Sequence, residues 1–130
     1  MLGGKDAAAA LAVSDMDAAR DFYENTLGLT KAEGAPEDPD ALVYRSGNSV
    51  VLVYQSAYAG TNKATAATWA AGGDFDSIVQ SLKDKGVTFE RYDDLPETTR
   101  EGDVHIMGEL RSVWFKDPDG NILNLANVSM

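Results

Sequence analysis

The order of sequence patterns in the first half of the chain is repeated in the second half. Asp15-Met16-Asp17 corresponds to Asp74-Phe75-Asp76, and each is predicted to cap the start of a segment with helical periodicity. Leu27-Gly28-Leu29 and Lys85-Gly86-Val87 correspond at the ends of those segments, where glycine typically ends a helix. The third matching pair is 47–52 (GNSVVL) and 120–125 (GNILNL). This duplication predicts two copies of one βαβββ module.

The module boundaries follow from the repeat. We predict one domain over residues 1–130, with a first module at about 5–57, a linker at 58–63 and a second module at about 64–130. Segment 7–13 contains four consecutive alanines, which favour a helix by propensity. The repeat nevertheless predicts a strand there, because residues 11–13 occupy the place that residues 69–71 take before the second helix. The expected fold class is α+β, with mixed, curved sheets around a cleft.

Composition excludes several classes of function. The chain has 21 acidic and 11 basic residues, a formal net charge of −10, which disfavours nucleic acid and anionic membranes as partners. It has no cysteine and one histidine, which leaves few metal ligands. No apolar stretch reaches the length of a membrane span, and the N-terminus lacks the basic start of a secretory signal, so we expect a cytoplasmic protein. Each module alone is too short to bury a large core, so a homodimer is also expected.

Two segments carry a resemblance to a known family. They are residues 13–23 (VSDMDAARDFY), which lead to Leu27-Gly28-Leu29, and residues 114–121 (WFKDPDGN). In this order they resemble the vicinal oxygen chelate superfamily, which includes glyoxalase I, extradiol dioxygenases, fosfomycin-modifying enzymes and bleomycin-binding proteins. The Asp-Pro-Asp-Gly-Asn segment also has a structural interpretation as a tight connection between strands.

The resemblance implies four metal-ligand positions, on the first and last strands of each module. Here these positions carry Ala8, Leu52, Ala67 and Asn124, where metal-dependent members have His, Gln or Glu. Three of the four side chains have no donor atom, and a catalytic metal site needs about three protein ligands. The sequence therefore predicts the fold of the family without a metal site or other cofactor.

Strand alternation predicts which side chains replace the metal in the cleft. Pairing Trp114 with Asn124 places both on one face and leaves the apolar neighbours of each for the core. The predicted ligand-binding set is Leu52, Tyr54, Thr65, Trp69, Trp114 and Asn124. An alternative is that the two tryptophans are core or dimer-interface residues and that Tyr54 is an ordinary edge-strand tyrosine.

His105 is the candidate for metal-free acid/base catalysis. Its reference pKa lies near neutrality, and Glu101, Asp103 or Glu109 could orient its ring. The ordinary alternative is a histidine on a surface strand. The acidic, Pro- and Gly-containing segment 92–103 reads as a solvated loop, with residues 93–103 as a candidate lid over a pocket.

Three functions remain open from the sequence. The first is metal-independent binding of a small hydrophobic or aromatic molecule, for sequestration or resistance. The second is an enzyme of lyase, isomerase or dioxygenase type, either metal-free through His105 or a tyrosine, or metal-dependent through ligands other than those above. The third is a subunit or regulator whose cleft is vestigial and whose function lies in contacts with partner proteins.

Overall fold

The computed structural model describes residues 1–35 and 37–129. These residues divide into two compact units. The first comprises the described residues up to 66 together with 117–121, and the second comprises 67–116 together with those from 122 onward. Among the described residues, no helix combines the length and apolar character that crossing a membrane would require.

The first unit contains a four-stranded sheet and one helical segment. Its strands are β1 (Ala9–Val13), β2 (Thr30–Lys31), β3 (Ala41–Ser46) and β4 (Ser49–Gln55), in the spatial order β1-β4-β3-β2. β1 runs parallel to β4, and the other pairs are antiparallel. The alanine-rich segment is thus a strand, as the repeat predicts, because pairing with β4 outweighs the weak helical preference of alanine.

Alternation divides this sheet into a buried face and an open face. Leu11, Val13, Val51, Val53 and Tyr44 are almost completely buried. Leu52 and Tyr54 lie on the other face and remain partly exposed, as their positions in β4 require. Ala8 lies immediately before β1 rather than in it, so the prediction that it occupies the first strand was wrong by one residue.

The helical segment of the first unit begins where the sequence predicts. The carboxylate of Asp15 accepts hydrogen bonds from the backbone N–H groups of Asp17 and Ala18, which caps α1 (Met16–Arg20). The helix continues with wider, π-type turns over Asp21–Thr26. Gly28, at φ +74°, ends it in a conformation that glycine adopts without strain.

The connection between the last two strands of the chain is built around one buried carboxylate. Asp117 accepts hydrogen bonds from the Tyr23 hydroxyl at 2.7 Å and from the Asn121 side chain at 2.8 Å. It also accepts from the backbone N–H groups of Asp119 and Asn121. Asn121 donates in addition to the Ala12 carbonyl in β1. The Asp-Pro-Asp-Gly-Asn segment therefore has the structural role that its composition predicts.

Two buried tyrosines should make the protein sensitive to alkali. Burial, followed by the charge and hydrogen bond of Asp117, raises the pKa of Tyr23 well above its ordinary value of 10.0. Burial and the hydrogen bond to Glu24 likewise raise the pKa of Tyr44. The stability that depends on the neutral phenols is present below pH 10.0 and is lost at higher pH, because the unfolded chain then ionises first.

We expect these two tyrosines together to steepen the fall in the free energy of unfolding above pH 10 by up to about 2.7 kcal/mol per pH unit. Urea unfolding at half-unit intervals from pH 9 to 11.5 measures this slope. The variant carrying Tyr23→Phe and Tyr44→Phe should be less stable at pH 8 but show a flatter alkaline decline. An equally steep decline in the variant would show that these phenols do not cause it.

The second unit repeats the topology of the first with one added strand. Its elements are β5 (Thr65–Ala70), α2 (Phe75–Asp84), β6 (Thr99–Glu101), β7 (Val104–Met107), β8 (Leu110–Lys116) and β9 (Ile122–Ala126). The spatial order is β5-β9-β8-β7-β6, so the first strand again lies beside the last. The fold is therefore α+β with a repeated mixed sheet, as predicted from the duplication.

The core of the second unit lies on one face of its sheet. Val113, Phe115, Leu123 and Leu125 are buried together, and Phe89 packs edge-on against Phe115 at 6.0 Å between ring centroids. Helix α2 buries Phe75, Val79 and Leu82. Arg111 connects β8 to the start of this helix by lying over the Phe75 ring and pairing with Asp76.

Two local predictions for this unit were wrong. Asp74 precedes α2, but its side chain does not cap the helix, because a 3-10 turn over Gly72–Asp74 gives it a non-extended backbone. Segment 92–103 is not entirely a solvated loop, because Thr99–Glu101 forms β6 and pairs with β7. The antiparallel pairing of β6 with β7 determines the structure of this part of the segment. Its composition alone does not predict that pairing.

Candidate functional site: a cavity on the open face of the second sheet

The second sheet aligns a set of side chains on the face opposite its core. Trp114 is the cross-strand partner of Asn124, as the sequence predicts. In the adjacent row of cross-strand partners on the same face, Ser112 pairs with His105 on one side and with Ala126 on the other. Because alternate residues of a strand point to the same side, these residues share one face of the sheet with Met107 and Leu110.

A cavity of about 350 Å³ lies on this face. Its volume is within the roughly 300–1,000 Å³ typical of small-molecule sites. The lining combines apolar surface from the sheet and from segment 95–98 with four polar side chains. The residues that line it are Leu95, Pro96, Thr98, His105, Met107, Leu110, Ser112, Trp114, Asn124 and Ala126. None of these side chains is an Asp, Glu, Lys or Arg.

His105 is held rigidly at the wall of this cavity. It is 2% exposed, and its Nε2 accepts a hydrogen bond of 2.9 Å from the backbone N–H of Tyr92. Its ring stands perpendicular to that of Trp114, with 4.9 Å between centroids. Its Nδ1 is buried and has no hydrogen-bond partner in the described part of the chain.

The expected environment of His105 was therefore wrong in two respects. The histidine is not on the surface, because β6, Tyr92 and Trp114 cover it. Its ring is held by a backbone N–H group, whereas Asp103 forms ion pairs with Arg91 and Lys83. Sequence composition does not indicate this burial, since the segment that covers His105 is rich in charged residues.

Tyr92 covers His105 and Trp114 from the neighbouring segment. Its ring centroid lies 5.7 Å from that of His105 and 5.6 Å from that of Trp114. Burial, with a smaller contribution from the charge of Glu90, raises the pKa of the Tyr92 phenol. The phenol is thus neutral at physiological pH, and this cluster of three rings carries no negative charge.

The structure brings together only part of the predicted ligand-binding set. Trp114 and Asn124 line the cavity, as does the catalytic candidate His105. The lining does not include Thr65 and Trp69, which lie in β5, or Leu52 and Tyr54, which lie in β4. The sequence analysis did not identify Ser112, Leu110 and Ala126, although counting by twos from Trp114 and Asn124 along β8 and β9 reaches all three.

The side chains at the family's metal-ligand positions do not fit a metal centre. Ala8, Leu52 and Ala67 have no donor atoms, and the Asn124 side chain donates to the Val113 carbonyl at 3.1 Å. Within the described ranges, no group of three or more His, Cys, Asp or Glu side chains is placed to hold an ion. No chemical step is therefore assigned to a metal at these positions.

The first unit contains a larger hollow with a different character. It measures about 500 Å³, and its described lining residues include Arg20, Lys31, Glu37 and Asp38. Its charged lining and its lack of aromatic side chains make it a poorer match to the usual composition of an organic ligand site than the cavity of the second unit.

Solved structures similar to this chain share its fold. A glyoxalase/bleomycin resistance protein/dioxygenase superfamily member from Sphaerobacter thermophilus has 26% identity, a TM-score of 0.65 and coverage of 97% of this chain and 98% of that one. Lactoylglutathione lyase from Agrobacterium tumefaciens has 17% identity, a TM-score of 0.68 and coverage of 95% and 94%. A fosfomycin resistance protein from Listeria monocytogenes has 16% identity, a TM-score of 0.67 and coverage of 100% and 94%.

Family membership is established by the sequence over almost its whole length. No curated protein matches the chain significantly. The family model for the glyoxalase/bleomycin resistance protein/dioxygenase superfamily, however, matches residues 7–125. This range includes both repeated sheets and both helical segments. The chain therefore belongs to the glyoxalase/bleomycin resistance protein/dioxygenase superfamily.

Proposed function

We propose that this protein binds a small hydrophobic or aromatic molecule without a metal ion, in a sequestering or resistance role. The observation that carries the proposal is the cavity of the second unit, where Trp114 supplies an aromatic wall and no Asp, Glu, Lys or Arg contributes to the lining. Apolar surface provides most of the affinity in such sites, and a few fixed polar groups orient the ligand.

The arrangement of His105 favours binding over acid/base catalysis. A general base needs a free lone pair, but the Nε2 lone pair accepts the Tyr92 N–H. In the neutral ring, the proton must then reside on Nδ1, which leaves no lone pair for abstracting a proton. The homodimer and the cytoplasmic location predicted from the sequence are retained as parts of this proposal.

The two tryptophans allow a direct test of the binding site. Benzophenone is a suitable probe, because it is uncharged, aromatic and small. In a ¹H–¹⁵N spectrum, the indole signals can be assigned with the variants Trp69→Phe and Trp114→Phe. We expect benzophenone to shift the Trp114 indole signal in a saturable manner, and to shift that of Trp69 much less.

A pair of substitutions two residues apart provides the matched control. Ala126→Met places a larger side chain in the cavity, whereas Val128→Met changes an exposed residue outside the lining. We expect Ala126→Met to weaken benzophenone binding at least ~10-fold and Val128→Met to leave it within ~2-fold. Equal affinities in the two variants, or no saturable shift of the Trp114 signal, would contradict binding in this cavity.

A further inference from the structure

Four polar side chains line the cavity of the second unit, and the polar groups of two of them are engaged within the protein. The hydroxyl of Thr98 donates at 2.9 Å to a backbone carbonyl two residues away. Nε2 of His105 accepts the N–H of Tyr92, and Nδ1 of the same ring is fully enclosed. Ser112 and Asn124 are therefore the polar side chains best placed to contact a ligand.

The hydrogen bond of Asn124 fixes the orientation of its side-chain amide. The Val113 carbonyl can only accept, so the nitrogen of the amide is the atom that faces it, at 3.1 Å. Oδ1 is then the end of the amide that this bond does not hold. An amide oxygen can accept hydrogen bonds but cannot donate them. Asn124 thus offers an acceptor of fixed position.

The side-chain oxygens of Asn124 and Ser112 remain accessible. Neither oxygen has a hydrogen-bond partner in the described part of the chain, where Nδ1 of His105 is the only fully enclosed side-chain nitrogen or oxygen that lacks one. The two oxygens are therefore not enclosed, although each residue is only 6% exposed. Because both side chains lie on the open face of the sheet and line the cavity, the surface that they retain faces the cavity.

The charge of the lining restricts the ligand group that can reach Oδ1 of Asn124. None of the described lining residues is an Asp, Glu, Lys or Arg. A cationic donor on the ligand would lose its hydration here without gaining a carboxylate as a partner, and an anionic group would gain no counter-charge. A neutral O–H or N–H group can donate to Oδ1 without this penalty.

We infer that the natural ligand is an uncharged aromatic molecule whose O–H or N–H group donates a hydrogen bond to Oδ1 of Asn124 while an aromatic ring packs against Trp114. This inference rests on the proposed binding function and extends it to a chemical group of the ligand. Trp114 and Asn124 are direct cross-strand partners, whose Cβ atoms are about 4.5–5.5 Å apart in an antiparallel pair, so one small molecule can contact both. Asn124 is thus a specificity-determining residue.

Two probes of nearly equal size test the contact. Diphenylmethanol has a hydroxyl group where benzophenone has a carbonyl oxygen, so only the alcohol can donate. The alcohol also gives up a hydrogen bond to water when it binds, so a preference for it requires an acceptor in the site. We expect diphenylmethanol to bind at least ~5-fold more tightly than benzophenone in isothermal titration calorimetry.

The outcomes for the two probes separate this inference from the proposed function. Equal affinities, or tighter binding of benzophenone, would overturn the inference but leave the binding function intact. Binding of neither probe would contradict the proposed function, and this inference with it.

A pair of substitutions on the same face identifies the acceptor. Asn124→Leu keeps a side chain of similar shape but removes Oδ1, so the preference for diphenylmethanol should disappear. Ser112→Ala removes the neighbouring hydroxyl and leaves Oδ1 in place, so most of the preference should remain. If the preference survives in folded Asn124→Leu, or disappears in Ser112→Ala, the acceptor is another group and the inference fails.

The unsubstituted protein provides a readout that does not depend on the folding of these variants. A hydrogen bond to Oδ1 polarises the amide of Asn124 and shifts the resonances of its Nδ2 and Cγ atoms. We expect saturating diphenylmethanol to shift these resonances clearly more than saturating benzophenone does. Shifts of equal size with the two probes would overturn the inference.

Discussion

Replacing Asp117 with alanine is expected to destabilise the protein by about 4 kcal/mol. The substitution leaves the Tyr23 hydroxyl and the Asn121 side chain without their shared acceptor, and Tyr23 is completely buried. It also removes the acceptor of two backbone N–H groups in the turn. Urea unfolding followed by far-UV circular dichroism measures the change in the free energy of unfolding.

Asp119→Ala provides the control for this experiment. Asp119 is two residues away and accepts hydrogen bonds from the backbone N–H and the hydroxyl of Ser14, which are more exposed to solvent. Its replacement should cost only about 1 kcal/mol, because water can replace the lost acceptor. If the two variants differ by less than about 1 kcal/mol, the buried carboxylate does not have the structural importance assigned to it.

Replacing Gly60 with alanine is the second substitution for which we expect a large loss, about 3 kcal/mol or more. Gly60 adopts a φ of +76°, which is unfavourable for alanine. A Cβ atom would also collide with the backbone carbonyl oxygen of Asp119. Because a backbone oxygen within a tight turn cannot rotate away, either the linker or the turn must move.

Gly47→Ala separates the two causes of this loss. Gly47 lies in the turn between β3 and β4 at a φ of +56°, but a Cβ atom there would have no heavy atom within 4 Å. Its replacement should therefore cost only the conformational strain, about 1 kcal/mol. Thermal unfolding of both variants tests the difference. Similar melting temperatures would show that the contact between Gly60 and Asp119 is not restrictive.

The repeat in the sequence was sufficient to predict the fold because it combines weak local signals. Residues 7–13 alone favour a helix, yet their place in the repeat predicts the strand β1 that is observed. The same reasoning aligned Trp114 with Asn124 and placed Val113, Phe115, Leu123 and Leu125 on the buried face. The alternation of side chains between the two faces of a strand is decisive here, because a register shift of one residue would expose the whole core.

The environment of His105 was beyond this kind of reasoning. Its burial depends on β6, a three-residue strand in a segment whose composition is typical of a solvated loop. Its fixed tautomer depends on one backbone N–H group, thirteen residues away in the sequence. Side-chain periodicity carries no information about such contacts. The same limitation applies to Leu95, Pro96 and Thr98, which reach the cavity from outside the strands.

The binding site proposed in the cavity does not require a metal ion. Ala8, Leu52 and Ala67 contribute no donor atoms at the positions that the resemblance implies, whereas the second sheet offers Trp114, Ser112 and Asn124. Recognition would then rest mainly on apolar contact, with a few polar side chains to orient the ligand. Such a site favours selection by shape.

A crystal structure of the protein with benzophenone tests this account most directly. We predict that the probe occupies the cavity of the second unit, with one of its aromatic rings against Trp114. Electron density for the probe in the hollow lined by Arg20, Lys31 and Leu42, with the cavity of the second unit empty, would contradict this prediction.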